Sequence, residues 1–410
     1  MLSERGVQLF ARSAAAVFLV LFLATRWLAE DGLDPNDNPL APDLAQFYVA
    51  GELVLEGQAA RLYDRAYVWE RINATLGVDD GTGTAFFYPP YVAPLCVPLA
   101  MLPYAVTAWT YLGLSLALGL GLGWWIASTL LREAGGGEHW HGEAVNACWL
   151  FVASVPFWRC VLFGQNGLIW LLVAWAAFLL ARRERWFAAG LVLAFGFCKP
   201  QVFLGLFVWM ALAGGWRARG GLALGGGVLA ALGSFMGWTL WGQWWLSLGG
   251  HQDAPGSEAR MHDLPHVLAP WMGEAGWASP VGLLGIGLLL VVWAGVAWTV
   301  LGVARRMGVE RPWPLERLDG PAAVSLAALV TAFAVAGPRT YQYDLLVFFP
   351  LLMGWWASGR CQGQAPASLM LLVVLAFYLS DLLAWMGIPI LSVLGFCFLV
   401  AMCIKIRRST

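Results

Sequence analysis

An all-α polytopic membrane protein is the fold class this sequence predicts, on three observations. Hydrophobic residues make up 60% of the 410, charged residues only 12%, and mean hydropathy is +0.68. A soluble domain usually carries about 25% charge, so this chain has too little to cover a water-facing surface. Aromatic residues are abundant, with 25 Trp, 22 Phe and 10 Tyr, and such rings gather at membrane interfaces. Long apolar runs alternate with short basic loops. This composition excludes a soluble enzyme and a disordered chain. A net charge of −1 offers no electrostatic footprint for nucleic acid.

The first apolar run, 9–28, follows Arg5 and Arg12 as a signal peptide would. It is long enough to span a bilayer, and no small-x-small cleavage site closes it. It therefore reads as a retained first helix with a cytoplasmic N-terminus. The next run of spanning length is 105–131. Between them lies the largest polar stretch, opening acidic with Glu30, Asp31, Asp34 and Asp37. It ends in Phe86-Phe87-Tyr88-Pro89-Pro90 and an apolar piece, 91–103, that contains Pro94 and Pro98. Prolines break a helix of that length, so 91–103 reads as interfacial on the outer leaflet. Further spans are expected at 147–163, 167–181, 186–199, 201–213, 220–241, 278–303, 321–336, 343–358, 367–384 and 387–404. The total is about twelve, in one integral-membrane unit covering 1–410.

Basic residues test this topology. Sixteen of the 24 Arg and Lys fall on the side of the N-terminus, whereas 17 of the 25 Asp and Glu fall opposite. Reading 88–103 as a span would reverse every later loop and place most Arg outside. The long outer segments are then 29–104 and 242–277. The working face is expected to be extracytoplasmic, in a cell membrane, with both termini in the cytoplasm.

The candidate residues sit at the outer helix ends. Asp43, in Pro42-Asp43-Leu44, occupies an expected helix N-cap, and a plain cap is the competing reading. Arg159, Gly164-Gln165-Asn166-Gly167, Lys199-Pro200-Gln201 and Gly337-Pro338-Arg339-Thr340-Tyr341-Gln342-Tyr343-Asp344 follow. Ionisable groups at membrane depth are costly and point to function. Three cations at similar depth, Arg159, Lys199 and Arg339, suit one anionic ligand; separate snorkelling is the alternative. His251, His262 and His266 match no strong metal spacing, and Asp79-Asp80 before Gly81 reads as a turn. The seven cysteines form no CxxC and read as small buried hydrophobes.

These pieces, in this order, resemble glycosyltransferase family 87. They are Asp43-Leu44, Phe47-Tyr48, Gly51, Leu62-Tyr63-Asp64, Phe87-Tyr88-Pro89-Pro90, Gly164-Gln165-Asn166, Cys198-Lys199-Pro200 and Tyr343-Asp344-Leu345. The likeness runs over roughly residues 1–350. It implies the GT-C glycosyltransferase fold and a polyprenyl-phosphate hexose, mannose in the first instance, as donor. It also implies an aspartate general base in the first outer loop, here Asp43. The family leads one to expect a His near the last outer motif, but 340–344 contains none.

The chemistry agrees with the resemblance. An acceptor hydroxyl needs a carboxylate to take its proton, and a departing lipid phosphate needs cations. Lys199, Arg159 and Arg339 are the expected phosphate partners. Gln165, Asn166, Tyr88, Tyr343 and Asp344 are expected sugar or acceptor contacts. Partners are the lipid donor, a lipid or glycan acceptor and membrane lipids; no cofactor or metal is expected. A flippase or transporter of lipid-linked sugars is the alternative.

Overall fold

The structure, a computed structural model, describes residues 4–28, 33, 39–78, 86–133 and 140–249, with 280, 346, 347, 349, 350 and 353. Every regular element among the described residues is helical, apart from one isolated bridge between Leu33 and Pro39. The first helix, α1 (Glu4–Trp27), is apolar on most of its surface. It buries Ala11, Ala15 and Phe22 against the bundle, and Phe18 and Phe22 lie on Trp158, at 5.7 and 6.1 Å between centroids.

The first outer segment supplies α2 (Leu44–Leu55), α3 (Arg65–Leu76) and α4 (Val92–Cys96). Nine of the twelve residues of α2 are buried, so this loop helix is packed inside the protein. It meets α4 closely: a Cβ on Gly51 would sit 2.5 Å from the Cys96 carbonyl oxygen. Arg71 of α3 reaches back to α2, 3.0 Å from Glu52 and 2.7 Å from Glu56. After α4 the chain tightens into a 3-10 turn, Val97–Met101. Pro94 and Pro98 explain both the short helix and the change of pitch, and no helix of spanning length forms there.

The bundle continues with α5 (Tyr104–Glu133), α6 (Trp140–Val152), α7 (Val155–Phe163), α8 (Gly167–Arg182), α9 (Trp186–Leu193), α10 (Pro200–Ala213), α11 (Gly215–Phe235) and α12 (Thr239–Gly249). Two expected spans are corrected. The run 147–163 is one bent pair, α6 and α7, starting earlier at Trp140 and turning by 57°. Ser154 and Pro156 begin the second half, where a proline has no N–H to continue the first. The run 220–241 is divided too. The helix α11 starts at Gly215 and stops at Phe235, and α12 occupies the beginning of the expected 242–277 loop.

The helices α9 and α11 pack backbone to backbone. A Cβ on Gly221 would lie 2.1 Å from the Phe187 carbonyl oxygen, and one on Gly190 would lie 2.3 Å from that of Ala218. Small residues let helices approach where no water drives them together. Among the described residues, three helices are long and apolar enough to cross a membrane, Gln8–Trp27, Tyr104–Glu133 and Gly215–Phe235, and the bent pair makes a fourth. The expected spans from 278 onward lie outside the described residues, apart from single positions.

Candidate active site

The site begins where α7 ends and α2 starts. Gly164 closes α7 in a left-handed conformation, φ +72°. A Cβ there would lie 2.8 Å from that of Leu44 and 2.9 Å from that of Ala41. Glycine thus answers two demands at once, a positive φ and a close approach. The Asp43 N–H donates to the Phe163 carbonyl at 2.9 Å. Ala41 itself adopts φ +48°, a strained value for a residue with a side chain. The Tyr104 hydroxyl, 2.7 Å from the Ala41 carbonyl and 2.9 Å from that of Leu40, helps hold the turn.

Asp43 does occupy the N-cap of α2, but its backbone is already helical and its side chain makes no capping bond. Its carboxylate instead accepts from Gln165: Nε2 lies 2.5 Å from Oδ2. This contact joins residues 122 positions apart. In this geometry the Asp43 side chain does not cap α2. Gln46, one turn along, donates to the Asp43 carbonyl at 3.1 Å.

Gln165 is only 3% exposed, and its backbone is fixed on both sides. Its N–H donates to Cys160 O at 2.9 Å, and its carbonyl accepts from the Tyr111 hydroxyl at 3.1 Å and from the Cys160 thiol. The carboxylate also fixes which way the amide points, because a flip would set Oε1 against Oδ2. Oε1 is buried without a hydrogen-bond partner among the described residues. A buried orphan acceptor costs about 1–3 kcal/mol, a strain of the kind that gathers at functional sites.

Asn166 extends the network. Its Oδ1 accepts from Trp170 Nε1 at 2.7 Å, and its Nδ2 donates to the Tyr88 hydroxyl at 3.1 Å. The Tyr88 carbonyl accepts from the Tyr63 hydroxyl at 2.6 Å. Burial pushes the Tyr63 phenol well above its ordinary range, so it stays a neutral donor. The Tyr88 ring packs on Phe47 at 4.9 Å, and Lys199 Nζ stands 5.9 Å from the centre of that ring. Lys199 is 7% exposed. It sits at the break before α10, where Pro200 forces it out of helical conformation, φ −135° and ψ 69°.

The profile of glycosyltransferase family 87 matches residues 86–312. The chain belongs to glycosyltransferase family 87. Searches of curated proteins and of solved structures find no match. The family 87 match is narrower than the likeness read from motifs. It takes in Tyr88, Arg159, Gln165, Asn166 and Lys199, and starts downstream of Asp43. Asp43 is tied to the matched stretch through Gln165.

Membership makes this chain a membrane glycosyltransferase, and the transporter alternative falls with it. Of the expected site residues, Asp43 contacts Gln165, while Asn166, the next residue in the chain, contacts Tyr88, whose ring lies beside Lys199. Arg159 is half-buried on α7, its guanidinium 5.9 Å from the ring of Phe163, whose carbonyl receives the Asp43 N–H. Arg339, Tyr343 and Asp344 lie outside the described residues, as do His251, His262 and His266. Sequence reasoning missed Gln46, Tyr63, Tyr104 and Tyr111. Only Tyr63 carried a signal, as the middle of Leu62-Tyr63-Asp64.

Proposed function

We propose that this glycosyltransferase moves a hexose, mannose in the first instance, from a polyprenyl phosphate to a lipid or glycan acceptor outside the cytoplasm. The observation that carries the reading is the Asp43 carboxylate. It makes no capping bond and accepts from Gln165, whose sequence neighbour Asn166 bonds Tyr88 beside the buried Lys199.

In this reading Asp43 removes the proton from an acceptor hydroxyl as its oxygen attacks the anomeric carbon. The bond from that carbon to the phosphate oxygen breaks on the opposite face. Its electron pair leaves on the lipid phosphate, and the anomeric configuration inverts. Lys199, with Arg159 and Arg339, offsets the charge that grows on the phosphate. Lys199 is buried beside the Tyr88 ring at the helix break before α10, and an ionisable group at membrane depth points to function. Tyr88, Asn166, Tyr343 and Asp344 contact the sugar or acceptor. The fold is GT-C with about twelve spans, and the lipid tail remains in the bilayer of a cell membrane.

The test is incubation of the purified protein in nanodiscs with a panel of polyprenyl-phosphate sugars and lipid extract, read by mass spectrometry. A product that gains one hexose and depends on one donor is the expected result. Release of product from nucleotide sugars alone, with no use of any lipid donor, would overturn the donor class.

A further inference from the structure

The end of the bundle remote from the candidate active site carries exposed cations that the proposed chemistry does not use. The helix α8 starts beside Asn166 and ends at Arg182, and α10 starts beside Lys199 and ends at Ala213. At about 1.5 Å per residue, the sixteen residues of α8 separate the two ends by about 24 Å. The basic-residue count predicts a cytoplasmic location for this remote end. There α9 and α11 start side by side: a Cβ on Gly214 would lie 2.5 Å from the Trp186 ring. Arg183 and Arg185 precede α9, Arg217 and Arg219 lie near the start of α11, and all four are exposed.

The packing of α11 decides which way its side chains emerge. Ala218, Gly221, Leu222 and Gly225 are buried, with Gly221 and Gly225 against α9. At about 100° per residue, Trp216, Gly220, Ala223 and Gly227 share the opposite face. Trp216 is 83% exposed, Ala223 and Gly227 are exposed, and a Cβ on Gly227 would meet nothing within 4 Å. A Cβ on Gly220 would meet the Phe187 ring at 3.7 Å, so that ring borders the face. Small residues beneath a Trp leave a shallow apolar trough along the helix. The same angular count puts Arg217 and Arg219 at its two edges, on either side of Trp216.

Arg219 is fixed in place. Its Nε donates to the Ala211 carbonyl at 3.0 Å, and its guanidinium lies 5.0 Å from the centre of the Trp216 ring. Among the described residues no carboxylate pairs with Arg217 or Arg219. A guanidinium carries five N–H donors in a planar fork that fits a phosphate, and Trp gathers at the level of lipid headgroups. A second copy of the chain meeting this face about a twofold axis would set like guanidiniums at one level. An anionic lipid meets no such repulsion.

We propose that the outward face of α11 holds an anionic phospholipid of the surrounding leaflet. Its phosphate lies between Arg217 and Arg219 beside Trp216, and an acyl chain runs over Gly220, Ala223 and Gly227. This site depends on neither Asp43 nor Lys199.

The probes are dioleoyl-phosphatidylglycerol and zwitterionic dioleoyl-phosphatidylcholine, which share their chains. Each is titrated into the full-length protein in detergent, and bound lipid is read by native mass spectrometry. Wild type should prefer phosphatidylglycerol by about 10-fold, as one charge-assisted hydrogen bond allows. Arg217→Gln with Arg219→Gln should abolish the preference. Arg183→Gln with Arg185→Gln removes the same charge at the same end and should keep it. Gly227→Trp fills the trough and should lower phosphatidylglycerol occupancy. Lys199→Ala should leave the preference unchanged, which separates this lipid from a lipid-phosphate donor. Equal binding of both lipids by wild type overturns the proposal, and so does equal loss from the two Gln pairs. Displacement by inorganic phosphate at the lipid's own concentration would also overturn it, because the trough then contributes nothing. A dimer that Gly227→Trp abolishes would give the face to a second copy instead. If the Arg217 and Arg219 pair does not fold, the two lipids on wild type and on Gly227→Trp decide alone.

Discussion

Replacing Asp43 by Asn tests the proposed base while leaving the fold almost untouched. The Asp43 side chain makes no capping bond to α2, so no cap is lost. The backbone bond to the Phe163 carbonyl does not involve the side chain. Asn Oδ1 can still accept from Gln165 Nε2, as Asp43 Oδ2 does at 2.5 Å. What changes is the charge. A hydrogen bond to a charged group is worth about 1.5–3 kcal/mol and a neutral one about 0.5–1.5, so stability should fall by roughly 1 kcal/mol. The amide cannot accept the acceptor proton, and loss of a general base costs about 10²–10⁴-fold. Turnover of a lipid-linked donor in nanodiscs, with donor binding measured in parallel, is the assay. Donor binding should be close to wild type and turnover lower by at least about 100-fold. A folded Asp43→Asn protein with near-normal turnover would refute the reasoning and remove Asp43 from the chemistry.

Gln165→Met removes the donor that holds Asp43 together with the orphan Oε1; losing both is close to neutral for stability. Its Tm should stay within a few degrees of wild type while turnover falls about 10-fold or more, and a marked loss of Tm with normal specific activity would make Gln165 merely structural. Lys199→Ala should weaken donor use by roughly 10- to 100-fold, the worth of a charge-assisted bond, and leave acceptor KM alone; donor titrations that match wild type would end the phosphate role. Lys199→Arg should not restore it, because a guanidinium differs from an ammonium in shape and reach. Gly164→Ala must place a Cβ 2.8 Å from that of Leu44 at φ +72°, so it should cost more than about 1 kcal/mol and lower turnover as the α7–α2 junction shifts. Unchanged Tm and activity would show that the junction tolerates displacement.

Hydropathy, sidedness and motif order are properties of the chain itself, so membrane class and family were legible in the sequence. Asp43, Gln165, Asn166, Tyr88 and Lys199 could be singled out because polar groups stand out against apolar helices. Their mutual contacts could not. Asp43 and Gln165 are 122 residues apart, and only the packing of α2 against the end of α7 brings them together. Gln46, Tyr104 and Tyr111 escaped because one more polar or aromatic residue in an aromatic-rich chain carries no local signal. Their value lies in which carbonyl each hydroxyl or amide reaches. Helix ends followed the same division. Apolar runs marked where helices lie, but hydropathy averages over a window and does not register a 57° bend after Val152. Nor does it show that Leu44–Leu55 is buried. That is decided by Gly51 against Cys96 and by Gly164 against Leu44, where steric fit between distant segments, rather than affinity for lipid or water, sets the arrangement.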